Sequence, residues 1–210
     1  SKEEPTAIGI FMDRSLGALG TTPGSADAVG LNYQWGRKDP LPKIFTVGDK
    51  GKSQAIYDSN GKSISFAITE PQSLKDVISH PLYHPIAKVN VTTDWCSTSN
   101  NLFWNPDKKT IYDPCPKGWR IAKTKTLNGE DGYQANWDKD GVMIQKQGGW
   151  YAGSGWYESD AKIGNTPHGA ACVWSSSYAP KEDRKMAFYF SVTMNGGGIG
   201  VENPMYRSTA

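Results

Sequence analysis

The sequence predicts an α+β domain made of short antiparallel strands, one or two helices and long loops. Its 23 glycines and 13 prolines among 210 residues favour turns and short strands, and aromatic residues make up 11% of the chain. One segment has the apolar spacing of an amphipathic helix. The chain can bury a substantial core, and no repeat or low-complexity linker divides it. Residues 1–210 are therefore predicted to form a single domain.

Turn chemistry and alternating hydrophobicity place the strands. An Asn-Gly pair between two alternating runs predicts a β-hairpin within residues 55–66. Other short strands are predicted at 8–12, 44–47, 142–144, 186–192 and 199–202. Turns are predicted at 128–132, 138–141 and 196–198.

The helix is predicted to begin near Pro71 and to end at His80. Proline suits the first turn of a helix, because the amide hydrogen that it lacks would have no partner there. Leu74, Val77 and Ile78 have the spacing of one apolar face. His80 precedes a second proline, which disfavours helical geometry in the residue before it.

Residues 111–121, with the sequence IYDPCPKGWRI, are predicted to form a rigid extended corner. Each proline fixes its own φ angle, removes a backbone donor and pushes the preceding residue towards extended geometry. Cys115 lies at the corner, where it could anchor the segment to another part of the chain. A Lys-Gly turn follows, and Trp119 is expected to insert into a core.

This corner is one of several sequence blocks that follow one another in the order of a known family. They are MDRSLGA (12–18), GLNYQWGRKDP (30–40), residues 73–81, Asp94-Trp95, Asn101-Leu102, DPCPKGW (113–119) and WSSS (174–177). In these blocks the chain resembles a domain common in Bacteroidales-type surface proteins, including the C-terminal parts of fimbrillin-like pilus proteins. That domain is related to the "major paralogous" repeat domains.

The resemblance implies a variant of the C-type-lectin-like fold in the C-terminal part of a larger fimbrillin-like protein. The export signal and anchor are then expected upstream, and the location is the extracellular cell surface or fimbrium of a Gram-negative bacterium. Two features depart from the family. Ala122-Lys123 follows the corner where the family has Pro-Thr, and the sequence ends where relatives add a strand that contains a cysteine.

Charge and hydropathy exclude two classes of partner. The 23 basic and 21 acidic residues leave a formal net charge of +2, and the basic residues are scattered along the chain. A nucleic-acid groove requires clustered positive charge, so no nucleic-acid partner is predicted. No apolar run reaches the roughly 18–20 residues that a membrane span requires.

The three cysteines allow two interpretations. The three cysteines are Cys96, Cys115 and Cys172. No two of them form a CxxC pair, and none has a histidine or cysteine at zinc-finger spacing. Either one structural disulfide forms beside a buried thiol, or Cys115 has its partner in the final strand of the family. Asp13-Arg14 lies between apolar residues and is predicted to form a buried or partly buried ion pair.

Residues 150–157 carry the predicted ligand-binding residues. Trp150, Tyr151, Trp156 and Tyr157 place four aromatic rings on a glycine-rich segment, and aromatic faces stack on the C–H faces of sugar rings. Alternatively, Trp150 and Trp156 fill the core. No cofactor is predicted, although residues 128–132 and 138–141 carry clustered oxygen donors that calcium would require.

The resemblance implies a non-enzymatic adhesin module that binds glycan or protein ligands on host, mucus or neighbouring cells, with pilus subunits as further partners. One alternative is a structural or assembly subunit of a pilus or envelope complex without a ligand of its own. Another is an oxidase like the formylglycine-generating enzymes, which share the broad fold. Their chemistry depends on a reactive cysteine pair, and no close pair occurs in this sequence.

Overall fold

The fold is a set of short strands and long loops with very little helix. The computed structural model describes residues 12–41, 56–57, 60–64, 67–68, 70–81, 84–85, 94–123, 135–144, 149–154, 156–157, 163–164, 170–178, 186–193 and 204–206. Within these residues there are one α-helix, one 3₁₀ helix and twelve strands. All but one of the strand pairs in this part of the chain are antiparallel. The predicted α+β class with short antiparallel strands is confirmed.

The strands form two three-stranded sheets and three two-stranded pairs among the described residues. In chain order they are β1 (Ile56–Tyr57), β2 (Ser63–Ile64), β3 (Ala67–Ile68), β4 (His84–Pro85), β5 (Ala135–Asp138), β6 (Gly141–Ile144), β7 (Gly149–Ala152), β8 (Trp156–Tyr157), β9 (Ile163–Gly164), β10 (Ala170–Tyr178), β11 (Met186–Thr193) and β12 (Pro204–Tyr206). The sheets have the orders β5-β6-β7 and β10-β11-β12.

Several predicted strands and turns are confirmed. β1 and β2 form the antiparallel hairpin, and Gly61 in its loop has a φ angle of +76°. The strands predicted at 142–144 and 186–192 correspond to β6 and β11. The turn predicted at 138–141 connects β5 to β6.

Helix α1 spans Leu74–Ser79 and begins later than predicted. Gln72 is held outside it, because its amide donates to the Trp95 carbonyl at 3.0 Å in an isolated parallel bridge. Ser73 is the N-cap, and its hydroxyl oxygen accepts the Asp76 amide hydrogen at 3.1 Å. Ile78 is 58% exposed and does not belong to the buried face.

The end of α1 confirms the prediction at His80. Its backbone amide donates to the carbonyls of Asp76 and Val77, at 3.0 and 3.2 Å, and these bonds satisfy the last turn of the helix. Other predictions lie outside the described residues. These are the strands at 44–47 and 199–202, the turns at 128–132 and 196–198, and all but the last residue of the strand at 8–12.

The main core is rich in tryptophan. Its buried members are Trp35, Val77, Trp95, Cys96, Phe103, Trp104 and Ala187. The rings of Trp35 and Trp104 lie with centroids 5.8 Å apart, and those of Trp95 and Phe103 5.6 Å apart. Among the described residues, no helix has the length and hydrophobicity that crossing a membrane requires.

Hydrogen bonds from indole groups connect the segments around this core. Among the tryptophans whose side chains the structure describes, five donate the indole N–H to a backbone carbonyl at 2.6 to 3.0 Å. These are Trp35, Trp95, Trp104, Trp150 and Trp174. An indole N–H is only a donor, so a buried tryptophan needs such an acceptor, and loop carbonyls supply it here.

Candidate functional site

Trp150 and Tyr151 of the predicted aromatic platform lie in β7. Trp150 is 1% exposed, its ring belongs to a core cluster with Val29, and its Nε1 donates to the Asp138 carbonyl at 2.9 Å. The Tyr151 hydroxyl donates to the Met12 carbonyl at 2.9 Å, and burial raises the pKa of Tyr151 to about 12. Trp150 therefore has no ring face open to a ligand in this structure.

Trp156 and Tyr157 form β8. They pair antiparallel with Gly164 and Ile163 of β9. Their backbone places them on a short two-stranded ribbon, and their role in ligand binding stays a prediction.

Residues 138–141, predicted as a turn that could also offer oxygen donors to calcium, form the two-residue connection of the β5–β6 hairpin. Lys139 and Asp140 both have positive φ angles, +48° and +62°. The backbone carbonyls of Asp138 and Asp140 accept hydrogen bonds from Trp150 and Gly153. The described part of the chain contains no group of three or more His, Cys, Asp or Glu side chains arranged to hold a metal ion.

Of the two interpretations of the cysteines, the internal disulfide is not formed: all three cysteines are free and lie in separate parts of the fold. Cys96 is in the main core, Cys172 is in β10, and Cys115 is at the corner predicted from sequence. Burial raises the pKa of all three thiols, to about 12 for Cys115 and Cys172. Thiols held in the neutral form are poor nucleophiles.

Arg14 and Arg37 differ in burial, which the sequence did not predict. Arg14 pairs with Asp13 at 2.8 Å, as predicted, but this pair lies at the surface because Asp13 is exposed. Arg37 is instead buried, and its Nη1 donates to Gln34 Oε1 at 2.8 Å. Burial lowers the pKa of Arg37 to about 10.

The segment 101–123 is organised around one buried carboxylate, and we call it the Asp113 loop. Asp113 Oδ1 accepts the Cys115 amide hydrogen at 2.8 Å and the Lys109 ammonium at 3.0 Å. Asp113 Oδ2 accepts the Ile121 amide hydrogen at 3.1 Å. The carboxylate thus connects both ends of the corner from within the segment, whereas Cys115 was expected to anchor it to another part of the chain.

A second set of polar contacts joins the outer parts of the Asp113 loop. Arg120 Nη1 donates to the Pro106 carbonyl at 2.6 Å, and Lys123 Nζ pairs with Asp107 Oδ1 at 2.9 Å. The Asn105 side-chain oxygen accepts the amide hydrogen of Asp107 at 2.8 Å. Because both ends of the loop are joined in this way, its tip is presented on a fixed backbone.

The tip of the Asp113 loop is a tight turn. The Trp119 amide donates to the Pro116 carbonyl at 3.0 Å, and Gly118 has a φ angle of +86°. A positive φ at the third position is what a type II turn requires, and glycine adopts it without strain. Lys117 occupies the second position and is exposed.

Trp119 is exceptional among the tryptophans that the structure describes. It is half-buried, it belongs to none of the core clusters, and its indole N–H forms no hydrogen bond with any described residue. The expectation that it inserts into a core is not met. Trp119, with the neighbouring Lys117 and Arg120, is the candidate functional site.

Sequence reasoning missed this site, although a signal for it was present. The KGWR segment places an aromatic ring between two cations at a glycine turn, and this composition suits a binding surface as well as a structural corner. Two large apolar side chains of the same loop, Leu102 and Ile111, are 56% and 75% exposed.

No family model, curated protein or solved structure matches this chain.

Proposed function

We propose that this chain is a non-enzymatic adhesin module with a variant of the C-type-lectin-like fold, displayed at the cell surface or fimbrium of a Gram-negative bacterium. It binds glycan or protein ligands on other cells. The sequence blocks shared with fimbrillin-associated domains support this family, and the Asp113 loop supports a binding role.

The positions of the shared sequence blocks support a common scaffold. Trp35, Val77 and Trp95, from three separate blocks, meet in the main core. A fourth block contributes Ser175, whose carbonyl accepts the Trp35 indole hydrogen at 2.9 Å. Residues that converge on one core maintain a fold, so the blocks are expected to specify the domain and not its ligand.

The observation that carries the binding role is Trp119. Of the six other tryptophans whose side chains the structure describes, five donate the indole N–H within the fold and Trp137 packs on a core cluster. Trp119 does neither with any described residue, and it lies on a fixed turn. Because the turn is fixed, Trp119 would lose little backbone entropy on binding. Its face would stack on a sugar or an apolar side chain, and its N–H would donate to a hydroxyl or carbonyl oxygen.

A glycan array tests the proposal. The purified chain is displayed as a tetramer, because adhesion through weak sites depends on avidity, and binding is measured with calcium and with EDTA. Trp119→Ala is expected to abolish binding while leaving the melting temperature unchanged. Trp156→Ala, run in parallel, tests the β8 aromatic pair as the alternative platform.

Adhesion of the same tetramers to epithelial and bacterial cells is measured beside the array, to detect protein ligands. If the chain unfolds cooperatively, and is therefore folded, but binds no glycan and no cell, the adhesin proposal is contradicted. That result would favour the structural or assembly subunit. The burial of Trp150 favours that alternative, because it removes one ring from the predicted aromatic platform.

A further inference from the structure

The Asp113 loop carries more basic than acidic residues. This loop contains Lys108, Lys109, Lys117, Arg120 and Lys123 but only two acidic residues, Asp107 and Asp113, which gives it a net charge of +3. The whole chain, with 23 basic and 21 acidic residues, carries +2. The rest of the sequence is therefore slightly acidic, and the loop is a local basic surface.

Both acidic side chains of the loop are already paired. Asp113 is bound by Lys109 and Asp107 by Lys123. Lys108, Lys117 and Arg120 are exposed, and none of them pairs with a carboxylate among the described residues. Three cations are thus available to a ligand.

Arg120 is the best prepared of the three. Its Nη1 is held by the Pro106 carbonyl at 2.6 Å, and the described residues supply no partner for its other nitrogens. A guanidinium group presents its donors in a planar fork that matches a carboxylate or sulfate. Because one nitrogen is already fixed, the group is oriented before a ligand arrives.

The candidate site therefore combines an aromatic ring with fixed and mobile cations. Trp119 and Lys117 lie within one turn, and Arg120 follows directly. The ring suits the C–H face of a sugar, its N–H suits a hydroxyl group, and the cations suit an anionic substituent. This composition matches one ligand chemistry better than a neutral sugar or an apolar peptide.

We propose that the tip of the Asp113 loop binds carbohydrate that carries carboxylate or sulfate groups. The inference rests on the proposed adhesin function and names its ligand class. Lys117 and Arg120 contact the anionic substituent, Trp119 stacks on the ring that bears it, and Lys108 adds to the attraction at longer range.

The test uses pairs of immobilised glycans that differ only in the acidic group: sialyllactose with lactose, and sulfated with unsulfated N-acetyllactosamine. The acidic member is expected to bind about tenfold more tightly, the size of one charge-assisted bidentate contact. Added salt should reduce this preference, because exposed charges are screened.

Matched variants localise the preference. Lys108→Gln/Lys117→Gln removes two charges that have no ion-pair partner among the described residues, so it should weaken acidic glycans without lowering the melting temperature. Arg120→Gln should weaken acidic glycans further, and its melting temperature is measured beside its binding because it removes the bond to the Pro106 carbonyl. Lys75→Gln, on the exposed side of α1, is the control of equal charge change for Arg120→Gln and should have no effect on the preference for acidic glycans.

The remaining outcomes separate this inference from the proposed function. Equal binding of acidic and neutral glycans, abolished by Trp119→Ala, overturns the anionic specificity and leaves the adhesin intact. If the loop variants keep the preference for acidic glycans, the binding site does not lie at the tip of the Asp113 loop. Binding to polyglutamate or to deglycosylated cells, with no glycan bound, overturns the carbohydrate class. Absence of any adhesion overturns both proposals.

Discussion

Asp113 is the residue on which the corner at 111–121 depends. Burying a carboxylate costs desolvation energy, which is offset only when its oxygens receive hydrogen bonds. Here three donors approach it: the amides of Cys115 and Ile121 and the ammonium of Lys109. The two prolines of the corner lack backbone donors of their own, and the carboxylate satisfies the amide between them and a second one beyond them.

We expect Asp113→Asn to lower the free energy of unfolding by about 2–3 kcal/mol, because the amide NH₂ would face a backbone N–H. Urea unfolding followed by tryptophan fluorescence measures this loss. Asp107→Asn is the matched control, since its pair with Lys123 is largely exposed and should be worth less than about 1 kcal/mol. Equal losses in the two variants would contradict the central role of Asp113.

At the scale of elements, indole hydrogen bonds join segments that are distant in sequence. Trp35 donates to Ser175 of β10, and Trp174 of the same strand donates to the Tyr33 carbonyl at 2.9 Å. The β10–β11 register shifts between Trp174 and Tyr178, so the backbone there is available to other segments. One such contact is the Ser176 amide, which donates to the Ala122 carbonyl at 2.8 Å.

Trp35→Phe is expected to lower the free energy of unfolding by about 2–4 kcal/mol, through a smaller ring in the core and an orphaned carbonyl at Ser175. Trp119→Phe makes the same chemical change at a residue that has no indole bond to a described residue, and it should cost less than about 0.5 kcal/mol. Guanidinium unfolding of both variants provides the comparison. A comparable loss from Trp119→Phe would mean that Trp119 is structural, and it would count against the candidate site.

At the scale of the whole molecule, burial holds several acidic groups in their neutral forms. It raises the pKa of Cys115, Cys172, Tyr33 and Tyr151 to about 12. The folded chain therefore keeps protons that the unfolded chain releases near pH 9 for thiols and pH 10 for phenols. Arg37 acts in the opposite sense, because burial lowers its pKa to about 10.

Alkaline pH is therefore expected to destabilise the fold. The contribution of a group with a raised pKa is complete below its unfolded pKa and is lost as the pH rises through the folded value. Stability should decline from pH 9 towards pH 12, since four raised groups outweigh the single opposing arginine. Melting temperatures at closely spaced pH values check this. Cys172→Ala should flatten the first part of the decline, and a constant melting temperature across the window would contradict the prediction.

Local chemistry in the sequence was sufficient for the strand-rich class and for several elements. The Asn60-Gly61 turn of the β1–β2 hairpin, the end of α1 at His80 and the strand β11 all follow from interactions within a few residues. The start of α1 was misplaced because a distant segment, through the Gln72–Trp95 bond, extends the backbone where a helix was expected.

Only the tertiary structure decided which aromatic rings are buried. Trp150 and Trp119 each lie beside glycine and have similar local sequences, yet Trp150 is enclosed with Val29 while Trp119 belongs to no core cluster. Burial depends on which remote segment packs on a ring, and the residues next to the ring in sequence do not indicate which segment that is. The same holds for the three thiols, since a disulfide cannot be placed without the approach of separate segments. The sequence by itself determined the class and the hairpin turns at 60–61 and 138–141, and tertiary packing decided which residues are left for function.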